Sequence, residues 1–129
     1  MFGGAQKNSI VIVMDYDPAA DEVHPLWRAP AACEVTGAYA TVVNDVAAST
    51  ANYFSVALRN GGAAGTATTA LAAAVGGTPG WTGLTPKTFT VSEGTLAAGD
   101  VVTAVYDEEG TGTFAQLNIQ LDYVLGVGA

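Results

Sequence analysis

The chain has 129 residues, of which 50% are hydrophobic and only 12% are charged, and 12 acidic against 4 basic side chains give a formal net charge of -8. This length suits one domain that buries a core without disulfides or metal. Nucleic acids and anionic membranes bind clustered lysine and arginine, and the four basic residues of this chain are scattered singly, so both partner classes are excluded.

The chain begins with a predicted arm and two extended segments. Residues 1–8 are rich in glycine and have no periodicity, which predicts a short flexible arm before a domain formed by residues 9–129. Residues 9–15 are a β-branched run of strand length. Residues 23–30 contain two prolines, which restrict this segment to an edge strand or an extended connector.

The middle of the chain predicts three further strands. Residues 33–43 alternate, so their odd-numbered and even-numbered side chains would lie on opposite faces of a strand. Residues 53–59 place their even-numbered apolar side chains on one face, and the Asn-Gly-Gly sequence that follows is typical of a hairpin turn. Residues 66–77 fit a strand or a short helix, and the surrounding threonines and glycines favour the strand.

The last third of the chain predicts three more strands, the final one with the most regular pattern. Residues 87–91 and residues 101–106 are separated by a loop and a turn, and residues 107–112 form a polar turn. Residues 114–126 alternate throughout, and we expect them to pair with residues 101–106 as a hairpin. The apolar side chains of this last strand are Ala115, Leu117, Ile119, Leu121, Tyr123 and Leu125.

About eight short strands, separated by glycine, proline and asparagine, predict an all-β fold. We expect a single jelly-roll-like antiparallel β-sandwich with a short N-terminal arm. Each leucine or isoleucine that the last strand buries contributes about 1.5–3 kcal/mol. A one-residue slip would bury Gln116, Asn118 and Gln120 instead, so the register of this strand is strongly specified.

The chain has few residues that could form a catalytic or metal centre. His24 is the single histidine, and we expect it to be an ordinary loop residue, because no Gly-x-Ser-x-Gly motif accompanies it. With one histidine and Cys33 as the single cysteine, the chain cannot supply the ligands of a zinc site, and we expect Cys33 to be a small buried residue of a strand. The acidic segment 15–22 does not fit the calcium-binding loop of an EF-hand. Ala19 stands where that loop has its third ligand, and Ala20 where it has its glycine. The sequence therefore predicts a non-enzymatic protein without a cofactor.

Two tryptophans are candidates for stacking on a sugar ring. Trp27 and Trp81 lie in polar, proline-containing or glycine-containing segments. Exposed aromatic rings beside polar side chains bind carbohydrate in β-sandwich lectins. The alternative, which the pattern favours, is that both tryptophans pack against the ends of the sandwich.

Neither a signal peptide nor a membrane helix is predicted from the sequence. The apolar run of the N-terminal segment, residues 10–14, is too short for a signal peptide and is followed by an acid. A membrane helix needs about 20 apolar residues, and no segment approaches that length. If the protein leaves a cell, we expect it to do so without a signal peptide, and we expect no membrane partner.

Three segments resemble small β-sandwich proteins of tailed bacteriophages. The segment "HPLWRAPAACEVTGAYATV" resembles their extended entry, in which an apolar-Arg-Ala-Pro stretch leads into a strand of the form x-V-T-G-A-x-A. The segment "NYFSVALRNGG" is similar to the strand and hairpin that follow, and "GTLAAGDVVTAVYDEEGTGT" to a late pair of strands. The resemblance covers residues 23–125 and is greatest to capsid decoration, or cement, proteins.

This resemblance implies a structural protein that stabilises the outer surface of a phage capsid. Its partner would be the major capsid protein, and the three-fold points of a capsid would favour a homotrimer. Made in the cytoplasm of the bacterial host, it would be located on the exterior of the virion. Gly3, Gly4 and Lys7 of the arm would contact a neighbouring subunit. An alternative from a different class is a carbohydrate-binding or receptor-binding module of a tail or head fibre, with Trp27 or Trp81 stacking on sugar.

Overall fold

A computed structural model describes residues 6–14, 18, 20–112 and 114–126 of the chain. These residues form strands and connections, and they contain no helix that is long and apolar enough to cross a membrane. The strands are β1 (Gln6–Met14), β2 (Glu22–Arg28), β3 (Cys33–Val42), β4 (Tyr53–Asn60), β5 (Thr69–Gly76), β6 (Lys87–Thr88), β7 (Thr95–Leu96), β8 (Val101–Glu109) and β9 (Leu117–Leu125).

The strands form two antiparallel sheets that pack face to face. In the β1 sheet the order is β1-β9-β3-β6, and β7 also pairs with β3; in the β2 sheet the order is β2-β8-β4-β5. The pairs are nested along the chain, because β4 pairs with β5, β3 with β6 and β7, β2 with β8, and β1 with β9. The chain is therefore one long hairpin whose successive pairs alternate between the two sheets. This is the predicted jelly-roll sandwich, and the fold class is confirmed.

The core lies between the sheets and is filled by alternate side chains of the long strands. Leu117, Ile119 and Leu121 of β9 are fully buried, as the alternation predicted. The even-numbered apolar residues of β4 face them from the other sheet and are also fully buried. Strand β5 forms where a strand was favoured over a helix, and β2 is the proline-containing edge strand that was expected.

Strand β3 contains a bulge that changes the face on which its side chains lie. Val35 pairs with Tyr123 and Gly37 with Asp122, so Thr36 is an extra residue in β3. Before the bulge the odd-numbered residues are buried; after it the even-numbered ones are. The prediction of one uninterrupted alternation from residue 33 to residue 43 is therefore wrong beyond Val35. The buried residues of β3 are Cys33, Val35, Ala38, Ala40 and Val42.

Two further predictions about the strands need correction. Strand β1 begins at Gln6, which pairs with Leu125, so residues 6–8 of the predicted arm are a strand; residues 1–5 lie outside the described residues. The predicted hairpin between β8 and β9 is wrong, because β8 pairs with β2 and β4 while β9 pairs with β1 and β3. The connection between β8 and β9 crosses from one sheet to the other, and Phe114 within it is buried in the core.

Candidate interaction surfaces

The side chains that could perform chemistry do not form a cluster in the described part of the chain. No group of three or more histidine, cysteine, aspartate or glutamate residues there is placed to hold a metal ion. Asp21 instead accepts a hydrogen bond from the backbone N–H of Glu108 at 2.9 Å. His24 lies on strand β2, with Nδ1 3.8 Å from a carboxylate oxygen of Glu22, and is not a loop residue as expected. Cys33 is buried, as expected.

Trp81 is part of the core and does not offer its ring to a ligand. The side chain is 4% exposed, and its ring stacks on Phe54 with 5.0 Å between centroids. Lys87 Nζ lies over the ring, 5.3 Å from its centroid. The Trp81 ring is therefore packed inside the sandwich, as the alternative expected, and almost none of it is exposed for stacking on a sugar.

Trp27 is half-buried at the free edge of the β2 sheet. Its ring lies 4.7 Å from that of Tyr123, with an angle of 43° between the planes, so the two residues connect β2 to β9 across the core. Trp27 therefore also contributes to packing of the sandwich. Sugar stacking on its exposed part stays a prediction.

Lys7 is placed on a strand, whereas Gly3 and Gly4 lie outside the described residues. The Lys7 side chain is exposed and lines a groove of about 520 Å³ at one end of the β1 sheet. In this groove the Ser9 hydroxyl donates a hydrogen bond to Asp122 Oδ1 at 2.6 Å, and Gln120 Nε2 donates to the same oxygen at 2.9 Å. A contact with a neighbouring subunit through Lys7 would therefore form on the outer surface of the β1 sheet.

The outer face of the β1 sheet carries few charges. Two rows of paired residues cross its centre, and their side chains are apolar or uncharged. Asp122, in the next row, is already hydrogen-bonded within the sheet. Such a face can be covered by another protein without removing charges from water. The two rows are Val11, Gln120 and Tyr39, and Val13, Asn118 and Thr41.

The outer face of the β2 sheet is similarly low in charge. One row across it contains Val23, Val105 and Ala57. The next row contains Pro25, Thr103 and Arg59, of which only Arg59 is charged. Many acidic side chains lie instead on loops and at strand ends, as in the sequence Asp-Glu-Glu at the end of β8. The chain has few charged residues, and few of them lie on the two outer sheet faces, so a partner could cover either face.

Comparisons with known proteins identify viral capsid structures. No protein-family model matches the chain, and no curated protein matches its sequence. A chain in the acid-stable capsid structure of Helicobacter pylori bacteriophage KHP30 aligns with 95% of this chain and 94% of its own length, at 16% identity and a TM-score of 0.58. A chain in the structure of infectious bursal disease virus, strain Gx, aligns with 96% of this chain but only 33% of its own length, at 14% identity and a TM-score of 0.49. The first match shows a fold shared with a viral capsid structure.

Proposed function

We propose that this protein is a non-enzymatic structural component of a bacteriophage capsid, which it decorates and stabilises from the outside. One observation carries the proposal: the match to a chain of a phage capsid structure extends over nearly the full length of both chains. The two chains therefore have about the same length and the same sandwich. A sandwich of this size is suited to binding on a shell that other subunits form.

The surfaces of the sandwich fit a function that depends on contact area. A protein that binds only the assembled shell lowers the free energy of that shell and so opposes its disruption. A specific interface of standard size buries about 1,600 Å² in total. The two outer sheet faces offer extended, weakly charged surface for such contacts, while the acidic loops can stay hydrated.

The partner in this proposal is the major capsid protein, and the place is the exterior of the virion. Copies that occupy three-fold positions would associate as trimers, because a closed oligomer takes the symmetry of its site. The protein would then contribute binding energy at the seams between capsid subunits. Its interior core and fixed strand registers supply the rigidity that such a clamp requires.

The test uses capsids from a phage whose copy of this gene has been deleted. Purified protein is added back, and we measure the amount bound and the temperature at which the shell releases its DNA. We expect saturable binding and a higher release temperature. Protein that does not bind, or that binds without changing the release temperature, would overturn the proposal.

Two matched variants identify the face that contacts the shell. Ala57→Lys places a charge on the outer face of the β2 sheet, and Thr41→Lys places one on the outer face of the β1 sheet. We expect one of them to lose binding and the other to bind like the wild type. If both bind like the wild type, contact through the sheet faces is excluded.

A further inference from the structure

Three of the four lateral sheet edges in the described part of the chain are protected against pairing with another strand. At the edge formed by β5, the backbone N–H of Ser92 donates to the carbonyl oxygen of Leu71 at 2.8 Å, so residues 91–93 cover the strand. Strand β2 has Pro25, a register shift after it and charged residues at both ends. Strands β6 and β7 have two residues each. Prolines, bulges, charges and short strands all prevent edge pairing.

The fourth edge, formed by β1, lacks proline, bulges and a short strand, and its one charged residue is near its N-terminal end. All nine residues of β1 pair with β9 without a register shift, and the strand contains neither proline nor glycine. Lys7 is its single charged residue. A nine-residue edge strand without a bulge, whose second half is apolar, is a template for pairing with a further strand.

The centre of β1 also exposes apolar surface on both faces of the sheet. Val11 and Val13 point outward and are 55% and 50% exposed. Ile10 and Ile12 point inward but are only partly buried, whereas Ile119 and Leu121, their partners in β9, are fully buried. An additional strand beside β1 would remove apolar surface from water on both faces.

We propose that β1 pairs antiparallel with β1 of a second copy of this chain, around a two-fold axis near Val11. In this register Val11 lies opposite Val11 of the second copy, and Ile10 lies opposite Ile12, so that apolar residues meet on both faces. Lys7 is four residues from the axis, and the two lysines are therefore far apart. The two β1 sheets join into one continuous sheet.

This contact goes beyond the proposed capsid function, because it requires no capsid. It is also distinct from association around a three-fold axis, and on a capsid it would connect neighbouring copies. The contact is one strand wide and buries less than a standard interface, so we expect weak association that depends on concentration. Sedimentation velocity from about 1 μM to about 500 μM should show monomers that become dimers.

Charge substitutions at the axis provide the sharpest test. Val11→Lys and Val11→Glu each place two like charges opposite one another, and we expect each to raise the dissociation constant of the dimer at least about tenfold. An equimolar mixture of the two variants should form a heterodimer, because opposite charges then meet. Val23→Lys is the matched control, since Val23 is 51% exposed on the protected edge strand β2, and it should leave association unchanged.

Cross-linking tests the same geometry independently. Val11→Cys should form a disulfide-linked dimer under mild oxidation, and Val23→Cys should not. The native Cys33 is buried and so does not compete. A wild-type protein that stays monomeric over the whole concentration range would overturn the proposal. So would dimers that both charge variants leave intact.

Discussion

The indole ring of Trp81 lies nearly parallel to the phenyl ring of Phe54, with 5.0 Å between centroids and 12° between planes. Phe54 also contacts Tyr106 and Phe114, with centroid distances of 5.4 and 5.1 Å, so it is the centre of a four-ring cluster. Each such pair contributes about 0.5–1.5 kcal/mol beyond the burial of its surface. The cluster joins a loop, two strands of the β2 sheet and the connection to β9.

Gly76 and Gly77 offer a matched test of how closely Trp81 is packed. Both have positive φ, of 91° and 87°, but a Cβ atom on Gly76 would lie 2.6 Å from Cζ2 of Trp81, whereas one on Gly77 would have no atom within 4 Å. Gly77→Ala should lower the free energy of unfolding by about 1–2 kcal/mol, the cost of a left-handed conformation. Gly76→Ala should lower the free energy of unfolding by about a further 1–3 kcal/mol, because the Trp81 ring must shift. Urea denaturation measures both, and equal losses would show that Trp81 is loosely held.

Leu84 is expected to limit the stability of its turn. The N–H of Thr85 donates to the carbonyl oxygen of Thr82 at 3.2 Å, and Leu84, at the third position of this turn, has φ of 64° and is 75% exposed. Leu84→Gly relieves about 1–2 kcal/mol of backbone strain but costs about 0.5–1 kcal/mol of chain entropy. The net result should be a free energy of unfolding higher by about 0–1.5 kcal/mol, with a central value of about 0.75 kcal/mol.

The matched control for this turn is Leu84→Ala. Alanine retains the Cβ atom that causes the strain, so the free energy of unfolding should change little. Thermal denaturation of the two variants side by side separates the backbone effect from the loss of the leucine side chain. A glycine variant that is less stable than the alanine variant would contradict this account.

The sequence predicts features of this fold that depend on neighbouring residues and misses those that depend on distant ones. The alternation of β9 is visible in the sequence, because successive side chains of a strand lie on opposite faces and only one face of β9 packs on the core. The bulge at Thr36 is not, because it exists only where β3 pairs with β9. The turn after β8 is recognisable locally, but the crossing of the chain to the other sheet, with Phe114 buried on the way, is not.

For the candidate surfaces, too, the sequence predicts features that depend on neighbouring residues and misses those that depend on distant ones. The sequence identifies residues 9–15 as a strand but gives no indication that this strand lies at an edge, which is set by sheet order. The burial of Trp81 depends on Phe54, which is 27 residues away in the chain. Composition does predict the low charge of the sheet faces, because with so few charged residues much of the surface must be uncharged.

The link between Ser9 and Asp122 should stabilise the pairing of β1 with β9. The Ser9 hydroxyl donates to Asp122 Oδ1 at 2.6 Å on an exposed surface. Exposure reduces the contribution of this hydrogen bond, and we expect Ser9→Ala and Asp122→Ala to show a coupling energy of about 0.5–1.5 kcal/mol in a double-mutant cycle. The cycle is measured by urea denaturation, and additive losses would mean that the two side chains act independently.

Cys33 should make the stability of the protein decrease at alkaline pH. Burial raises the pKa of the Cys33 thiol above its ordinary value of 9.0, and the carboxylate of Asp100 raises it further. Above the ordinary value, the unfolded chain loses this proton while the folded chain keeps it, so the unfolded state binds fewer protons and the free energy of unfolding falls as pH rises. The contribution of the protonated Cys33 thiol to the free energy of unfolding is complete below the ordinary pKa of the thiol. It is lost as the pH rises towards the higher pKa of the folded state. Cys33→Ala lacks the thiol, and the difference in stability between the wild type and this variant should shrink above a pH of about 9, as urea denaturation across the pH range would show. A difference that stays constant with pH would mean that the thiol ionises equally well in the folded and unfolded chains.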